Sequence, residues 1–464
     1  MHSPSQPHGV AAVRSAAPDP GTADAGAAAT DASVRAHSAH EQHAHEQHAP
    51  DHVAHSHGKP VHGGHRSVAD HRQAVRDLLE PLLSPERTER LPLVQALGRG
   101  LAEDITAPLS LPPFPNSQMD GFAIRSADVP DGGADLRVAA PVPAGARPAA
   151  LRPGTAAPIM TGAMVPAGAD AVVPIEQAVP SVFPAAGEEA EVRLPATAAG
   201  TYIRTAGSDI EAGQQALAAG TCLGPAQLGL LAALGLPEVL VRKQLLVLLV
   251  TTGDEVVEPG EPLGDGKIYD ANGTLLESAL RQAGLAVTRA GISADSPDAL
   301  RTLLRTHTSA VDLIVTTGGV SKGAYEVVRQ AMDGQDVAFQ HVAMQPGGPQ
   351  GLGTFDGVPL LAFPGNPVSC LVSFEMFLRP VLGELFGAPA PRPAVRARLA
   401  QPLSSPAGKH QVRRASLLAD GTVRLQGGES SHLVQALAHS NALVHVPVGT
   451  AALDEGAEVE VWML

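Results

Sequence analysis

The pattern of apolar and polar positions changes several times along the chain and predicts a different structure in each part. Apolar residues first recur at helical spacing after Ser67, at Val68 and Val75, which predicts that folded structure begins there with a helix. Residues 109–200 are rich in Pro, Gly, Val and Ala and contain short β-like runs such as 171–175. This composition indicates a small, loop-rich β module inserted into another domain.

Between residues 245 and 386, short apolar runs alternate with segments of helical period. The predicted strands are 245–250, 286–290, 311–315 and 359–362, and the predicted helices are 272–282, 297–306, 325–332 and 368–385. Such alternation indicates a parallel sheet covered by helices on both faces, with ligands at the carboxyl ends of its strands. Residues 394–464 alternate apolar and polar positions and predict a separate small β domain.

The fold class predicted is therefore α/β with several domains, because a single core rarely grows past roughly 250–300 residues and the chain has 464. The predicted parts are a His-rich tail at 1–66, N-terminal helical and extended segments at 67–120 and 201–242, the inserted β module at 121–200, the α/β domain at 243–388 and the C-terminal β domain at 389–464.

Residues 1–66 lack apolar periodicity, so we expect disorder there. Thirteen of the nineteen histidines lie between His2 and His71, and imidazoles spaced two or three apart can chelate Zn, Ni or Cu ions. Two interpretations stay open: a solvated tail with incidental metal affinity, or a role in metal storage or delivery.

Net charge, cysteine content and the lengths of apolar stretches indicate the cellular compartment and exclude some classes of partner. The net charge of −15 opposes nonspecific nucleic-acid binding, and Cys222 and Cys370 form neither a disulfide framework nor a CxxC pair. No apolar stretch reaches the roughly 18 residues of a membrane span, and the N-terminus lacks the apolar core of a signal peptide. We therefore expect a cytoplasmic protein that binds neither nucleic acid nor membrane.

Three loops rich in small residues follow predicted strands, at 251–255, 316–323 and 364–367. Since the carboxyl ends of parallel strands meet at one edge of a sheet, their backbone N–H groups can face a common anion. Asn366 and Pro367 fit the N-cap and the first position of the helix that follows. Acidic loop residues, Asp254, Glu255, Asp295 and Glu326, suit a divalent cation. A phosphate-bearing ligand with a divalent cation is expected at this edge.

Beyond these features, the chain resembles a known family, the molybdopterin molybdenumtransferases, that is, MoeA and the E domains of gephyrin and its plant counterpart. The matching segments run in order from about Ser67 to the C-terminus, at 113–123, 159–163, 166–173, 203–210, 252–255, 266–272, 318–321 and 364–369. The resemblance implies a MogA-like α/β domain and a C-terminal β-barrel-like domain. It also implies Mg²⁺-dependent insertion of molybdate into adenylylated molybdopterin with release of AMP, and a homodimer with a composite active site. A MogA-type adenylyltransferase is then the implied donor of the substrate.

The resemblance also implies roles for single residues. The implied catalytic residues are Asp120, Thr161, Glu255, Asp295 and Glu326, and the implied metal ligands are Asp254, Glu255, Asp295 and Glu326. The candidate substrate-binding residues are Arg204, Asp209, Thr252, Gly253, Gly318, Gly319, Ser321, Lys322, Gly323, Pro364, Gly365, Asn366, Pro367, Ser369 and Ser431. Lys322 is a candidate of this chain alone, because the family commonly has an apolar residue there. Without the family match, Asp120 and Thr161 could be turn residues, Asp295 a helix cap, and Asp254 and Glu255 a solvated turn.

Departures from the family pattern keep other functions open. Residues 345–349 read Gln-Pro-Gly-Gly-Pro where the family has Lys-Pro-Gly-Lys-Pro, and Glu326 stands where the family has Asp. Lys322 is the first candidate to replace the lost positive charge, with Lys409, Arg413 and Arg414 as others. A scaffold or metallochaperone, a tungstate enzyme and a MogA-type adenylyltransferase are the alternatives, the last disfavoured by the inserted module and the C-terminal domain.

Overall fold

The structure is a computed structural model and describes residues 65–464 except 186–187, 294–295 and 321–325. Ser67 caps the first helix, Val68–Leu79, because its side-chain oxygen accepts a hydrogen bond from the backbone N–H of Asp70 (3.0 Å). Val75 and Leu79 of this helix are fully buried. The helix predicted after Ser67 is therefore present.

The central α/β domain contains a six-stranded sheet. In spatial order its strands are Ala286–Ser293, Leu246–Thr252, Leu313–Thr317, Val358–Phe363, Pro349–Phe355 and Asp336–His341. The first four strands are parallel, as the sequence predicts, and the last two are antiparallel additions that the pattern did not indicate. The carboxyl ends of the three central parallel strands lie at one edge of the sheet.

Helices cover both faces of this sheet. They are Ala271–Gln282, Pro297–His307, Val327–Ala331, Pro367–Ser373 and Arg379–Phe386, and a π-helical turn, Phe374–Leu378, joins the last two. Val247 and Leu249 pack into one core, and Leu248 and Val250 pack into the other. This alternation explains why the strand reads as a continuous apolar run.

The inserted module is a five-stranded sheet. Its strands, in spatial order, are Ala171–Pro174, Gly121–Ile124, Thr155–Ile159, Ala134–Val138 and Glu191–Leu194. The segments before and after the module pair with each other in three short antiparallel ladders, Thr88–Pro92 with Glu238–Arg242, Ile105–Thr106 with Gln215–Leu217, and Asn116–Ser117 with Ile203–Arg204. A further helix, Pro225–Ala233, lies in sequence between Gln215–Leu217 and Glu238–Arg242.

The C-terminal strands close into a five-stranded barrel. Around the ring they are His410–Leu417, Thr422–Leu425, Ala394–Leu399, Glu458–Met463 and Ala442–Val446, and the last pairs again with the first. Leu403–Ser404 and Ala452–Leu453 form a small ladder, and the helix Val434–Ala438 lies between two barrel strands in sequence. The predicted multidomain α/β fold with a C-terminal β barrel is confirmed. No helix within the described ranges combines the length and apolar character that crossing a membrane requires.

Candidate active site

A cavity of about 1190 Å³ opens at the carboxyl edge of the α/β sheet, where it also meets the C-terminal barrel. All three loops that the sequence analysis placed at strand ends contribute to its wall. The predicted site residues that line it are Thr252, Gly253, Glu255, Gly318, Gly319, Glu326, Pro364, Gly365, Asn366, Pro367, Ser369 and Ser431. The loops therefore converge on one space, as the parallel topology requires.

Side-chain hydroxyls and backbone groups fix the spacing of these loops. The Thr252 hydroxyl donates to the Thr317 carbonyl (3.3 Å), and the Thr317 hydroxyl donates to the Pro364 carbonyl (3.2 Å). The Gly318 N–H donates to the Phe363 carbonyl (3.1 Å). At Gly318, whose φ is +96°, a Cβ would lie 2.8 Å from the Thr252 carbonyl oxygen. A larger residue would push the first two loops apart.

Asn272 joins a helix start to two of the loops, and the sequence analysis did not assign it to the site. Its side-chain N–H₂ donates to the Gly365 carbonyl (2.6 Å) and to the Thr317 hydroxyl (3.1 Å). It is only 8% exposed, yet it lines the cavity. Its place at the end of the matched segment 266–272 was the one sequence signal that could have identified it.

Asp270, two residues before Asn272, uses both of its carboxylate oxygens in interactions within the fold. One carboxylate oxygen accepts from the Gly273 N–H (2.8 Å) and caps the helix, while the other accepts from Arg289 (2.5 Å). Arg289 also pairs with Glu258 (2.9 Å). Asp270 lines the cavity, but its carboxylate is already paired with Arg289, which it shares with Glu258.

The helix Pro367–Ser373 starts as the sequence predicts, with Asn366 at the N-cap and Pro367 in the first turn. The backbone N–H of Val368 donates a hydrogen bond to the Ser431 carbonyl (3.0 Å). This bond connects the barrel domain to the start of the helix. Because proline has no N–H, the first two helical positions offer no donor to a ligand. The helix N-terminus is thus a poorer source of donors than the sequence suggested.

The barrel contributes a polar loop to the opposite wall of the cavity. Ser431 and Lys409 both line it, as do Glu429, Ser430 and His432. Of the other candidates for a replacement cation, Arg413 pairs with Glu429 (3.5 Å), and Arg414 donates to the carbonyls of Gly428 (2.5 Å) and Ser430 (3.0 Å). Neither arginine lines the cavity. Their role is to hold the loop that presents Ser431.

Two predicted metal-binding carboxylates, Glu255 and Glu326, lie in the cavity wall, whereas Asp254 does not. Within the described residues, no three His, Cys, Asp or Glu side chains are grouped closely enough to form a complete metal site. The Glu255 carboxylate occupies the space that a Cβ on Gly253 would fill, 2.6 Å from Oε2. One or two carboxylates, completed by water and substrate oxygens, fit a Mg²⁺-type cation and do not fit a preformed site made only of protein ligands.

Four other predicted residues lie away from the cavity, near the inserted module. The N–H and the hydroxyl of Thr161 both donate to one oxygen of Asp120 (2.6 and 2.7 Å), and these two bonds hold the pKa of Asp120 below its usual range. Arg204 donates to the Asn116 side chain (3.3 Å). Asp209, exposed, is fixed by its backbone N–H on the Leu111 carbonyl (2.9 Å). The structure brings Asp120 and Thr161 together but not into the cavity of their own chain.

Several predictions concern residues outside those that the structure describes. These are the site residues Asp295, Ser321, Lys322 and Gly323, and the His-rich tail up to residue 64.

Comparison with known proteins matches three family models along the chain. They are the MoeA N-terminal region, domains I and II, at residues 66–235, a probable molybdopterin binding domain at 248–384, and the MoeA C-terminal region, domain IV, at 396–464. Molybdopterin molybdenumtransferase 2 of Mycobacterium tuberculosis is 43% identical, over 86% of this chain and 100% of the relative. The molybdopterin molybdenumtransferase of Nostoc sp. is 35% identical, over 88% of this chain and 96% of the relative.

A crystal structure of the molybdopterin biosynthesis MoeA protein from Pyrococcus horikoshii has a TM-score of 0.73 and 26% identity, covering 86% of this chain and all of that one. The multidomain architecture, with a MogA-like domain between an inserted module and a closed barrel, defines an enzyme of molybdenum cofactor biosynthesis. The chain belongs to the molybdopterin molybdenumtransferase family, and it is a transferase.

Proposed function

We propose that the protein inserts molybdate into adenylylated molybdopterin, with release of AMP, in the cavity at the carboxyl edge of the α/β sheet. The observation that carries this proposal is a cavity of about 1190 Å³ bounded by three strand-end loops that contain glycine. Its size suits a ligand as large as an adenylylated pterin, and the backbone N–H groups of such loops suit a pyrophosphate.

We further propose that Mg²⁺ takes part, held by Glu255 and Glu326, with Asp254 and Asp295 as the other candidate ligands. When bound, Mg²⁺ would neutralise the charge of the pyrophosphate as AMP departs. The chain itself orients the substrate, because Thr252, Thr317 and Asn272 keep the loops at a fixed spacing. On the barrel side, Lys409 and Ser431 offer an ammonium and a hydroxyl to molybdate.

We propose that a second copy of the chain supplies Asp120 and Thr161. Both residues are exposed, and the two hydrogen bonds from Thr161 stabilise a charged Asp120 on that surface. A homodimer with two-fold symmetry could present this surface to the partner's cavity twice. Because the substrate carries an adenylyl group, a MogA-type adenylyltransferase is the proposed donor.

One observation favours a second candidate function, an oxyanion-binding scaffold or a tungstate enzyme. The loop 345–349 lines the cavity but brings no lysine to its wall. If positive charge at this wall limits turnover with molybdate, the protein would bind the substrate without converting it efficiently.

The test is to incubate purified protein with adenylylated molybdopterin and Mg²⁺ across a molybdate titration, following AMP release and formation of active cofactor. We expect AMP release to rise with molybdate and to fall at least about tenfold in Glu255→Gln. Glu261→Gln, an exposed acid outside the cavity wall, is the matched control and should keep its activity. Substrate binding without AMP release, with molybdate and tungstate alike, would favour the scaffold.

The composite site has its own test, which mixes two variants that are each expected to have low activity, Asp120→Asn and Glu255→Gln. Random exchange of subunits should restore about a quarter of the wild-type activity, since half of the dimers would then hold one intact site out of two. If activity did not recover after verified subunit exchange, Asp120 and Glu255 would act in the active site of the same chain.

A further inference from the structure

The loop 345–349 lines the cavity without contributing a cation. The Gln345 side chain is neutral and turned toward the barrel, where its Oε1 accepts a hydrogen bond from Nε2 of Gln411 (3.1 Å). Gly348 has no side chain. Positive charge for an oxyanion at this wall must therefore come from another element.

His341 occupies the space beside Gly348. A Cβ on Gly348 would lie 2.5 Å from Nε2 and 2.6 Å from Cε1 of His341, so the imidazole stands where a side chain at 348 would begin. Backbone bonds hold it there, because the Val342 N–H donates to the Gly348 carbonyl (2.7 Å) and the Arg66 N–H donates to the His341 carbonyl (3.0 Å). The ring of His65 packs against it at 4.6 Å.

Among the described residues of the cavity wall, only three carry a basic nitrogen, namely His341, Lys409 and His432. Lys409 and His341 are half-buried, and His432 is exposed. Among the described residues, the His65 ring packs on His341 and the Arg66 backbone binds its carbonyl. The charged and titratable residues that share the described cavity wall with His341 are Lys409, Glu429 and His432 on the barrel side, and Glu255, Tyr269, Asp270 and Glu326 on the sheet side. The described part of the wall thus offers one permanent cation, Lys409, and two imidazoles to an oxyanion in the cavity.

We propose that His341 is a specificity-determining residue for the tetrahedral oxyanion, and that its protonated imidazole supplies the charge that residues 345 and 348 lack. The proposal rests on the proposed function for the identity of the anion. Histidine changes its charge between about pH 5 and pH 8, unlike lysine. Oxyanion binding should therefore strengthen as the pH falls through this range, because a protonated ring attracts the anion and a neutral ring does not.

The test is calorimetric titration of the full chain with sodium molybdate at pH 6 and pH 8, with sodium sulfate as a second anion. We expect wild-type affinity to be about tenfold higher at pH 6, the effect of one favourable charge contact of about 1.4 kcal/mol. His341→Gln should bind weakly at both values, and His341→Lys should bind well at both. His439→Gln, an exposed histidine outside the cavity, should behave as wild type.

A double variant distinguishes the loss of positive charge at residue 341 from a purely structural effect of the substitution. In His341→Ala/Gly348→Lys the positive charge lies at residue 348 in the loop 345–349. We expect oxyanion binding to return in this variant without its pH dependence. Gly348→Lys alone should destabilise the fold, since the new side chain collides with His341.

The proposal is overturned if wild type and His341→Gln show the same pH dependence, or if wild type binds no oxyanion at either pH. The proposed function fails separately, if AMP release does not depend on molybdate. Anion binding that depends on His341 would then remain as the property of a binding protein.

Discussion

Glu255 and Gly253 form a unit at the end of a central strand. The carboxylate of Glu255 folds back over the backbone of Gly253, into the volume that any Cβ at residue 253 would take. Gly253 also has a φ of +138°, a conformation that other residues adopt with strain. The sequence placed both residues in a strand-end loop, but the contact between them depends on side-chain rotation that no spacing rule specifies.

Gly253→Ala should displace the Glu255 carboxylate and lower Mg²⁺-supported AMP release by about 10- to 100-fold, the usual effect of disturbing a residue that orients a ligand. Titration of activity with Mg²⁺ measures the effect. Gly264→Ala is the control in the same loop region, because a Cβ there meets nothing closer than 3.7 Å and the backbone is unstrained. Equal activity in the two variants would show that Gly253 does not orient a ligand of the proposed Mg²⁺ site.

The hydroxyl of Thr161 lowers the pKa of Asp120 together with the backbone N–H of Thr161. A carboxyl whose folded-state pKa is lowered adds stability above its ordinary pKa, and that contribution is lost as the pH falls through the folded-state value. Thr161→Val removes the hydroxyl donor alone, so the pKa of Asp120 should rise while staying below its ordinary value. Carboxyl ¹³C NMR titration of labelled aspartate measures it, with Thr302→Val as control. An unchanged titration would mean that the hydroxyl bond is not formed in solution.

At the scale of elements, Asn272 connects the helix Ala271–Gln282 to two strand ends that are 45 and 93 residues away in sequence. The periodicity of apolar residues predicted the helix and the strands to within a few residues, because both are decided locally. It could not predict which polar side chain bridges them, since that depends on how the elements come together.

Asn272→Asp should be more damaging than Asn272→Ala, although it is closer in shape. The alanine variant leaves the Gly365 carbonyl without its donor, at a cost of about 1–3 kcal/mol. The aspartate variant places a carboxylate oxygen against that carbonyl. Thermal unfolding and the KM for adenylylated molybdopterin should both follow the order wild type, Ala, Asp. If the aspartate variant were less damaged than the alanine variant, the acceptor oxygen of residue 272 would matter more than the two hydrogen bonds that its amide donates.

The apolar pattern did not predict two antiparallel strands, Asp336–His341 and Pro349–Phe355, and the reason is local. Gly351 and Gly353 interrupt the apolar pattern, because Pro349–Phe355 passes so close to its neighbour that a Cβ at Gly353 would lie 1.9 Å from the Asp336 carbonyl oxygen. The loop between these strands forms one wall of the cavity. The barrel loop at Ser431 forms another wall, and the Ser431 carbonyl accepts a hydrogen bond from the Val368 N–H (3.0 Å). Contacts between distant parts of the chain complete the site, and the apolar pattern does not specify them. Ser431 was named only through the family resemblance.

At the scale of the whole molecule, two buried histidines lie where the parts of the chain pack together. His71 of the first helix packs edge-on against Phe377 (4.5 Å), and burial lowers its pKa to about 4. His445 of the barrel lies against Trp462 (4.2 Å), and burial lowers its pKa to about 3, with smaller effects from His410 and Arg72. Both rings are neutral in the folded protein at neutral pH.

Stability should therefore fall as the pH drops from about 6.5 toward 4, because the unfolded chain takes up protons on these rings and the folded chain does not. His71→Phe should remove about 3 kcal/mol of this loss at pH 4. Urea unfolding between pH 7 and pH 4 measures it, with His439→Gln, an exposed histidine, as the control. Parallel pH profiles for wild type and His71→Phe would show that His71 is protonated in the folded state.

The most direct test of the account is a crystal structure of the protein grown with adenylylated molybdopterin and Mg²⁺ but without molybdate. We expect the pyrophosphate between the loops that contain Gly253, Gly318 and Gly365, with the pterin end directed toward Ser431 and His341. Asp120 of a second copy should face the same ligand. A ligand bound elsewhere, with the cavity at the carboxyl edge free of it, would contradict the proposed site and the function built on it.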